Sequence, residues 1–153
     1  GFKGRKGMLY EGGIRVPFIV NQPGMVPIQT LDNLIYFPDM MPTLAALAKG
    51  TKHLPKQING INILPLFYGK QVDTDNRLLY WEFPGKQRAA RKGDWKCVTI
   101  HPNQPLELYN LKEDPEETNN LAQKYPRRVK EFDEEMQRMH IPTPNWPQPG
   151  EQF

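Results

Sequence analysis

In the opening stretch GFKGRKGMLYEGGIR, Lys6 stands beside Gly7 and two residues after Gly4. An ammonium among glycines suits a small oxyanion, because a backbone without Cβ atoms approaches closely and lysine supplies a compact charge. The same residues suit an ordinary glycine-rich loop, and the G-x-x-x-x-G-K-[ST] spacing of a phosphate loop is absent. Glu11 and Arg15 lie four apart across Gly12 and Gly13. Two readings are open for them: an ion pair clamping a turn whose glycines supply unusual backbone angles, or Glu11 as a general base. No partner base or acid stands nearby in sequence, which favours the clamp.

The remaining reactive residues are sparse. Cys97 is the one cysteine and sits in an apolar, strand-like run, the setting of a buried thiol more than of a nucleophile. His53, His101 and His140 are far apart in sequence, and no Cys/His spacing resembles a zinc site, so no metal ligands are expected from this chain. His101, before Pro102 at a strand end, is a candidate pocket residue or a plain surface histidine.

Charge distribution argues against nucleic acid. The net charge is +3, and residues 1–31 carry Lys3, Arg5, Lys6 and Arg15 against Glu11 alone; the rest holds 16 basic and 16 acidic residues. A local basic cluster fits one small anion better than a polyanion. No run of about 18 apolar residues offers a membrane span, and the basic start lacks the apolar core of a signal peptide. An interior-type opening without Met is expected of a chain cut from something longer.

Residues 15–20 (RVPFIV) are apolar and β-rich, reading as a short buried strand of a covered parallel sheet. In DMMPTLAALAKG, Asp39 is placed to cap a helix and Pro42 falls in its first turn. Met40, Leu44, Leu47 and Ala48 form its core stripe, and Gly50 stops it. Residues 54–69 read as loop with a turn at Asn59-Gly60 and an apolar turn at Leu64-Pro65-Leu66-Phe67. Polar residues 70–77 read as a linker. Beyond it, residues 78–83, 88–91, 95–100 and 106–111 are strand candidates divided by turns such as Pro84-Gly85 and Gly93-Asp94. Close spacing implies a small antiparallel sheet with Trp81 and Trp95 in its core and Tyr80 and Tyr109 as their cross-strand partners. Asp114, Pro115 and Glu117 have capping-box spacing for a short helix. Residues 127–139 form an amphipathic helix with Val129, Phe132, Met136 and Met139 facing the sheet, and Pro142, Pro144, Pro147 and Pro149 mark an extended tail.

These segments, in this order, carry a resemblance. Lys6-Gly7-Met8-Leu9-Tyr10-Glu11-Gly12-Gly13-Ile14-Arg15-Val16-Pro17 resembles the second signature of the type I sulfatases, G-x-x-K-G-x-x-x-E-G-G-x-R-x-P. Residues 39–50 resemble that family's D-x-x-P-T-x-x-x-x-A-G helix, and residues 59–66 its D-G-x-S-L-x-P-L turn. Lys92-Gly93-Asp94-Trp95-Lys96, Glu107-Leu108-Tyr109-Asn110-Leu111, Asp114-Pro115-Glu116-Glu117 and Asn120-Leu121-Ala122 resemble its C-terminal subdomain. Together they span about residues 1–140.

The resemblance implies α/β plus α+β architecture. Residues 1–69 would end an alkaline-phosphatase-like catalytic α/β domain, and residues 70–153 would form a C-terminal α+β subdomain with a Pro-rich tail. It implies hydrolysis of aryl or carbohydrate sulfate esters by a calcium- and formylglycine-dependent enzyme. The formylglycine arises in a C/S-x-P-x-R motif, and the calcium carboxylates precede the signature. Neither is supplied here, since Cys97 is followed by Val98, Thr99 and Ile100. The chain alone is therefore expected to be inactive, with the apolar surface of a partial catalytic sheet left open to self-association. By motif position, Lys6 is the sulfate-contacting lysine, while Glu11, Gly12, Gly13 and Arg15 support its loop. The implied partner is a sulfated small molecule or glycan, and the implied location is periplasmic or secreted. Two rivals are a phosphodiesterase or phosphonate hydrolase of the same superfamily, and a noncatalytic carbohydrate- or partner-binding module.

Overall fold

The computed structural model describes residues 1–84, 87–145, 147 and 150–152. Gly85 of the expected Pro84-Gly85 turn and Pro149 of the tail lie outside the described residues. The chain forms two compact units: Gly1–Val16 with Arg77–Phe153, and Pro17–Asn76. Contacts thus join the first sixteen residues to the C-terminal sequence, whereas the sequence reading groups residues 1–69.

In the first unit, strands β1 (Leu78–Phe83), β2 (Gln87–Lys92), β3 (Trp95–Thr99) and β4 (Glu107–Asn110) form an antiparallel meander in the order β1-β2-β3-β4. The register places Ala90 opposite Tyr80 and Cys97, with Leu108 next to Cys97. Side chains alternate across a pleated strand, so these residues share one face. Against them pack Phe132 and Met136 of helix α4 (Pro126–Met139). The opposite face carries Ala89 and Val98, then Arg91, Lys96 and Tyr109 in a row across three strands. On it pack Leu9 and Tyr10 of the opening loop. The sheet is the middle layer between a helix and the glycine-rich loop.

Strands and α4 form where the alternating and helical patterns predict. The tryptophans differ: Trp81 packs on the loop face and Trp95 on the helix face. Their cross-strand neighbours are Ala89 for Trp81 and Lys92 and Asn110 for Trp95, not tyrosines. Trp95 meets Tyr125 edge-on at 5.3 Å instead.

The expected short helix after Asp114 is a series of turns. Asp114 accepts from the Thr118 and Asn119 N–H groups, and Glu117 takes a positive φ of 56° that turns its carboxylate inward. A left-handed residue is incompatible with a helical turn. Beyond α4 the tail folds back, with Glu151 reaching His140 at 2.6 Å.

The second unit holds helix α2 (Met40–Leu47) and the single turn α3 (Leu64–Phe67). Asp39 is not the expected side-chain cap: its oxygens accept from Tyr36 N–H and Ile61 N–H, while Thr43 Oγ1 accepts from Ile63 N–H. The D-x-x-P-T residues thus staple α2 to the 61–63 segment. Gly60 passes so close that a Cβ would lie 2.0 Å from the Pro38 oxygen.

Two expectations fail in this unit and the residues just before it. Residues 15–20 form no strand, because an extended segment needs a neighbouring strand to accept its ladder and Pro17 offers no N–H. The α2 stripe is also not core: Pro42 and Thr43 are buried, whereas Leu44 and Leu47 are more than half exposed. They line an open groove of about 510 Å³ with Phe18, Ile19, Met40 and Phe67.

Candidate functional site

Lys6 sits at the tip of a closed loop made by residues 3–12. The loop neck is shut by Gly12 N–H donating to the Lys3 oxygen at 2.8 Å, and the tip by Met8 N–H donating to the Arg5 oxygen at 3.0 Å. Gly4 and Gly7 take φ of 84° and 88°, the left-handed region that glycine enters without strain. Glu11–Ile14 is one α-helical turn, α1. Gly12 and Gly13 are required there for space, not for unusual angles as the sequence reading had it. A Cβ on Gly12 would lie 2.6 Å from the Lys3 oxygen, and one on Gly13 1.9 Å from the Met8 oxygen.

The sheet holds this loop by its charged side chains. Lys3 Nζ donates to Glu107 Oε2 at 3.2 Å and to the Tyr109 hydroxyl at 2.8 Å. It also stands 4.2 Å from the centre of the Tyr10 ring, a cation–π distance. The Tyr10 and Tyr109 hydroxyls both donate to Glu107 Oε2, and burial together with the nearby carboxylate pushes both phenols up. Gln87 Nε2 donates to the Gly7 oxygen at 2.9 Å, beside Lys6 in sequence.

Glu11 is buried, but its partner is not Arg15. Lys96 Nζ, fully buried on β3, lies 2.9 Å from Glu11 Oε1 and 2.9 Å from Glu117 Oε1. Arg91 Nη1 is 3.6 Å from Glu11 Oε2, and Glu11 N–H donates to Glu117 Oε2 at 2.6 Å. Burial raises the Glu117 carboxyl above its ordinary value, an effect that the Lys96 charge only partly offsets. Arg15 is exposed, with its guanidinium 4.6 Å from the centre of the Phe2 ring.

Among the loop's basic residues, Lys6 and Arg5 remain exposed, and no hydrogen bond or ion pair among the described residues engages their side chains. His101 lies in an exposed turn after β3, where its Nδ1 accepts from Asn103 N–H at 3.2 Å. It does not line the groove of about 440 Å³ formed by Trp95, Asn110, Asp114, Thr118, Lys124 and Tyr125.

The described residues do not fit the implied cofactors. Among the described residues no group of three or more His, Cys, Asp or Glu side chains is placed to hold a metal ion. Cys97 faces the helix layer with no exposure, and burial pushes its thiol up to about 12, the reverse of an activated sulfur.

Of the residues singled out in the sequence, Lys6, Glu11 and Gly12 fall in this loop, Gly13 follows in α1 and Arg15 lies just beyond it. Sequence reasoning missed the anchors Lys3, Gln87, Arg91, Lys96, Glu107 and Glu117. One signal was present: Lys96 is two residues from Val98, so strand alternation puts both on one face, and a lysine beside a core valine calls for buried carboxylates.

The chain is 32% identical over 139 residues to a sulfatase of Formosa agariphila, spanning 80% of this chain and 25% of that protein. It is 30% identical to arylsulfatase K of Gallus gallus, spanning 82% of this chain and 25% of that one. A structure solved in work on the metabolism of multiple glycosaminoglycans by Bacteroides thetaiotaomicron superposes with a TM-score of 0.76 at 27% identity. That match covers 90% of this chain and 31% of the other. The chain thus spans about a quarter of the length of these curated relatives. The family described as N-sulphoglucosamine sulphohydrolase, C-terminal, matches residues 3–141, and the chain belongs to it as a C-terminal sulfatase portion.

Proposed function

We propose that this chain completes a sulfatase that hydrolyses aryl or carbohydrate sulfate esters, and that Lys6 is its sulfate-contacting cation. The observation that carries the reading is the loop itself. Lys3 and Glu11 are consumed in holding it to the sheet, while Lys6 is left exposed at a tip turned by Gly4 and Gly7 and closed by backbone hydrogen bonds. An ammonium carried on such a backbone stabilises negative charge that builds on sulfate oxygens as the ester S–O bond breaks. A neutral residue there would leave that charge to water.

The nucleophile and the metal ligands belong, on this reading, to sequence outside the chain. Hence the chain by itself is inactive, as the closing part of a catalytic α/β domain followed in sequence by a C-terminal α+β subdomain. Calcium and formylglycine enter as components of that larger enzyme. A glycan substrate is supported by the glycosaminoglycan context of the similar Bacteroides structure, and an aryl ester by the name of the chicken relative.

The test is to express the complete reading frame that contains this chain and assay 4-nitrophenyl sulfate and sulfated disaccharides against matched phosphate diesters. Sulfate release that falls two to three orders of magnitude in Lys6→Ala is the expected result, about 2.7–4 kcal/mol in line with loss of one oxyanion contact. Phosphodiester turnover without sulfate release would move the protein to the rival superfamily chemistry. Glycan binding with no turnover of either ester would make it a binding module.

A further inference from the structure

Lys96 is an expensive residue to place inside a sheet. Desolvating an ammonium is offset only by good ionic geometry, and an apolar side chain often packs such a site as well or better. Its contacts converge on one carboxylate and on that carboxylate's neighbour: Glu11 Oε1 and Glu117 Oε1, each at 2.9 Å. Glu117 then accepts the Glu11 N–H, so the first residue of α1 is held by both side chain and backbone. Arg91 approaches the second Glu11 oxygen, and the four charges balance.

From Glu11 the constraint passes directly to the loop neck. The next N–H, on Gly12, closes the neck onto the Lys3 oxygen, and the tight passage of Gly12 and Gly13 leaves α1 no room to shift. Residues 3–10 therefore take part of their placement from Glu11, beside the bonds of Lys3, Tyr10 and the Gly7 oxygen to the sheet. Lys6 lies at their far end and does not itself touch Lys96.

We propose that Lys96 is a positioning residue for the Lys6 ammonium, acting through Glu11, with Glu117 as the second anchor. The proposal rests on Lys6 being the sulfate-contacting lysine, and its test separates the two ideas.

In the 153-residue chain, limited trypsin digestion followed by mass spectrometry compares cleavage after Arg5 and Lys6 with cleavage after Lys130 in α4. The first pair reports the loop, and the second reports opening of the whole unit. Lys96→Met is expected to speed loop cleavage at least tenfold more than helix cleavage. Glu11→Gln, which leaves the Lys96 and Glu117 pair in place, does the same if Lys96→Met does not accumulate as folded protein. Equal acceleration at both places would mean a general structural role and overturn the proposal.

In the product of the complete reading frame, turnover of 4-nitrophenyl sulfate is measured for Lys96→Met and Glu11→Gln, each alone and combined with Lys6→Ala. Each is expected to lower kcat tenfold or more when Lys6 is present and to have no further effect when it is absent, the non-additivity of residues acting through one another. Equal losses in both backgrounds refute the proposal while leaving the sulfatase reading intact. Normal turnover in Lys6→Ala refutes the reading on which it stands.

Discussion

The Tyr10 hydroxyl donates to Glu107 Oε2 at 2.7 Å across a separation of 97 residues, and it joins the opening loop to the last strand of the sheet. The same oxygen accepts from Tyr109 and from Lys3. Burial alone would raise the Glu107 pKa, but the three donors outweigh it and hold the carboxyl below its ordinary value near 4.5.

That direction fixes a pH dependence. A carboxylate whose folded pKa is depressed contributes stability that is present above its unfolded pKa and lost as pH falls through the folded one. Thermal unfolding followed by circular dichroism should therefore show wild type losing more stability than Glu107→Gln below about pH 4.5. At neutral pH, Glu107→Gln should destabilise by about 1 kcal/mol, the lower end of the range for disturbing a hydrogen-bonded group, since Glu107 is only partly buried. Parallel profiles for the two proteins would rule out this role for Glu107.

Gly13→Ala tests the crowding of α1. Its Cβ would overlap the Met8 oxygen, so a loss of at least about 3 kcal/mol in urea unfolding is expected, the size reserved for steric or burial faults. Gly24→Ala is the control: its φ is +75° but nothing lies within 4 Å, so only about 1–2 kcal/mol of backbone strain is expected. Equal effects would show that conformation, not space, decides both sites.

His140 gives a dependence of the opposite sign. Its ring nitrogens lie 2.5 Å from Glu82 Oε1 and 2.6 Å from Glu151 Oε1, and Tyr80 donates to the same Glu82 oxygen. Burial would lower the His140 pKa, yet the two glutamates outweigh it and raise it above 6.5. Because folding favours the imidazolium, its contribution is complete below that value and disappears as pH rises through the folded pKa. His140→Asn should therefore lower the melting temperature more at pH 5.5 than at pH 9. A pH-independent difference would exclude the charged bridge.

The apolar surface of the second unit predicts association. Ile19, Met25, Ile28, Phe37, Leu44 and Leu47 are all more than half exposed. Scattered apolar residues are normal at a surface, but a set this dense in one small unit is expected to favour association. Light scattering of the 153-residue chain should show concentration-dependent self-association, reduced by Leu44→Lys with Leu47→Lys. A monodisperse monomer with amides of residues 15–20 protected from exchange would refute this.

The sheet and α4 were legible because their signals are local. Alternation in LLYWEF and WKCVT sets faces, turns set the hairpins, and Phe132 and Met136 recur one helical turn apart. Residues 15–20 misled because apolar content shows what wants burial and not what will bury it. Glu117 misled because its capping-box spacing competes with a buried lysine 21 positions earlier, a pairing that no local window contains. The signature loop was legible as a motif, but its anchors lie on β2, β3, β4 and the turn beyond them. The nearest sequence candidate for Glu11, Arg15, lies beside it in the chain and outside its ion pair.

The same separation orders events in time. Lys96 meets Glu11 across 85 residues, and Glu117 meets it across 106. Closing such distant contacts carries a loop-entropy penalty that slows folding, and synthesis from the N-terminus makes the loop first and its anchors last. The glycine-rich loop therefore leaves the ribosome without the geometry it later holds, and acquires it only after the turn at Glu117 has emerged. A chain cut short before that turn would keep every residue of the lysine motif and lack the means to aim it.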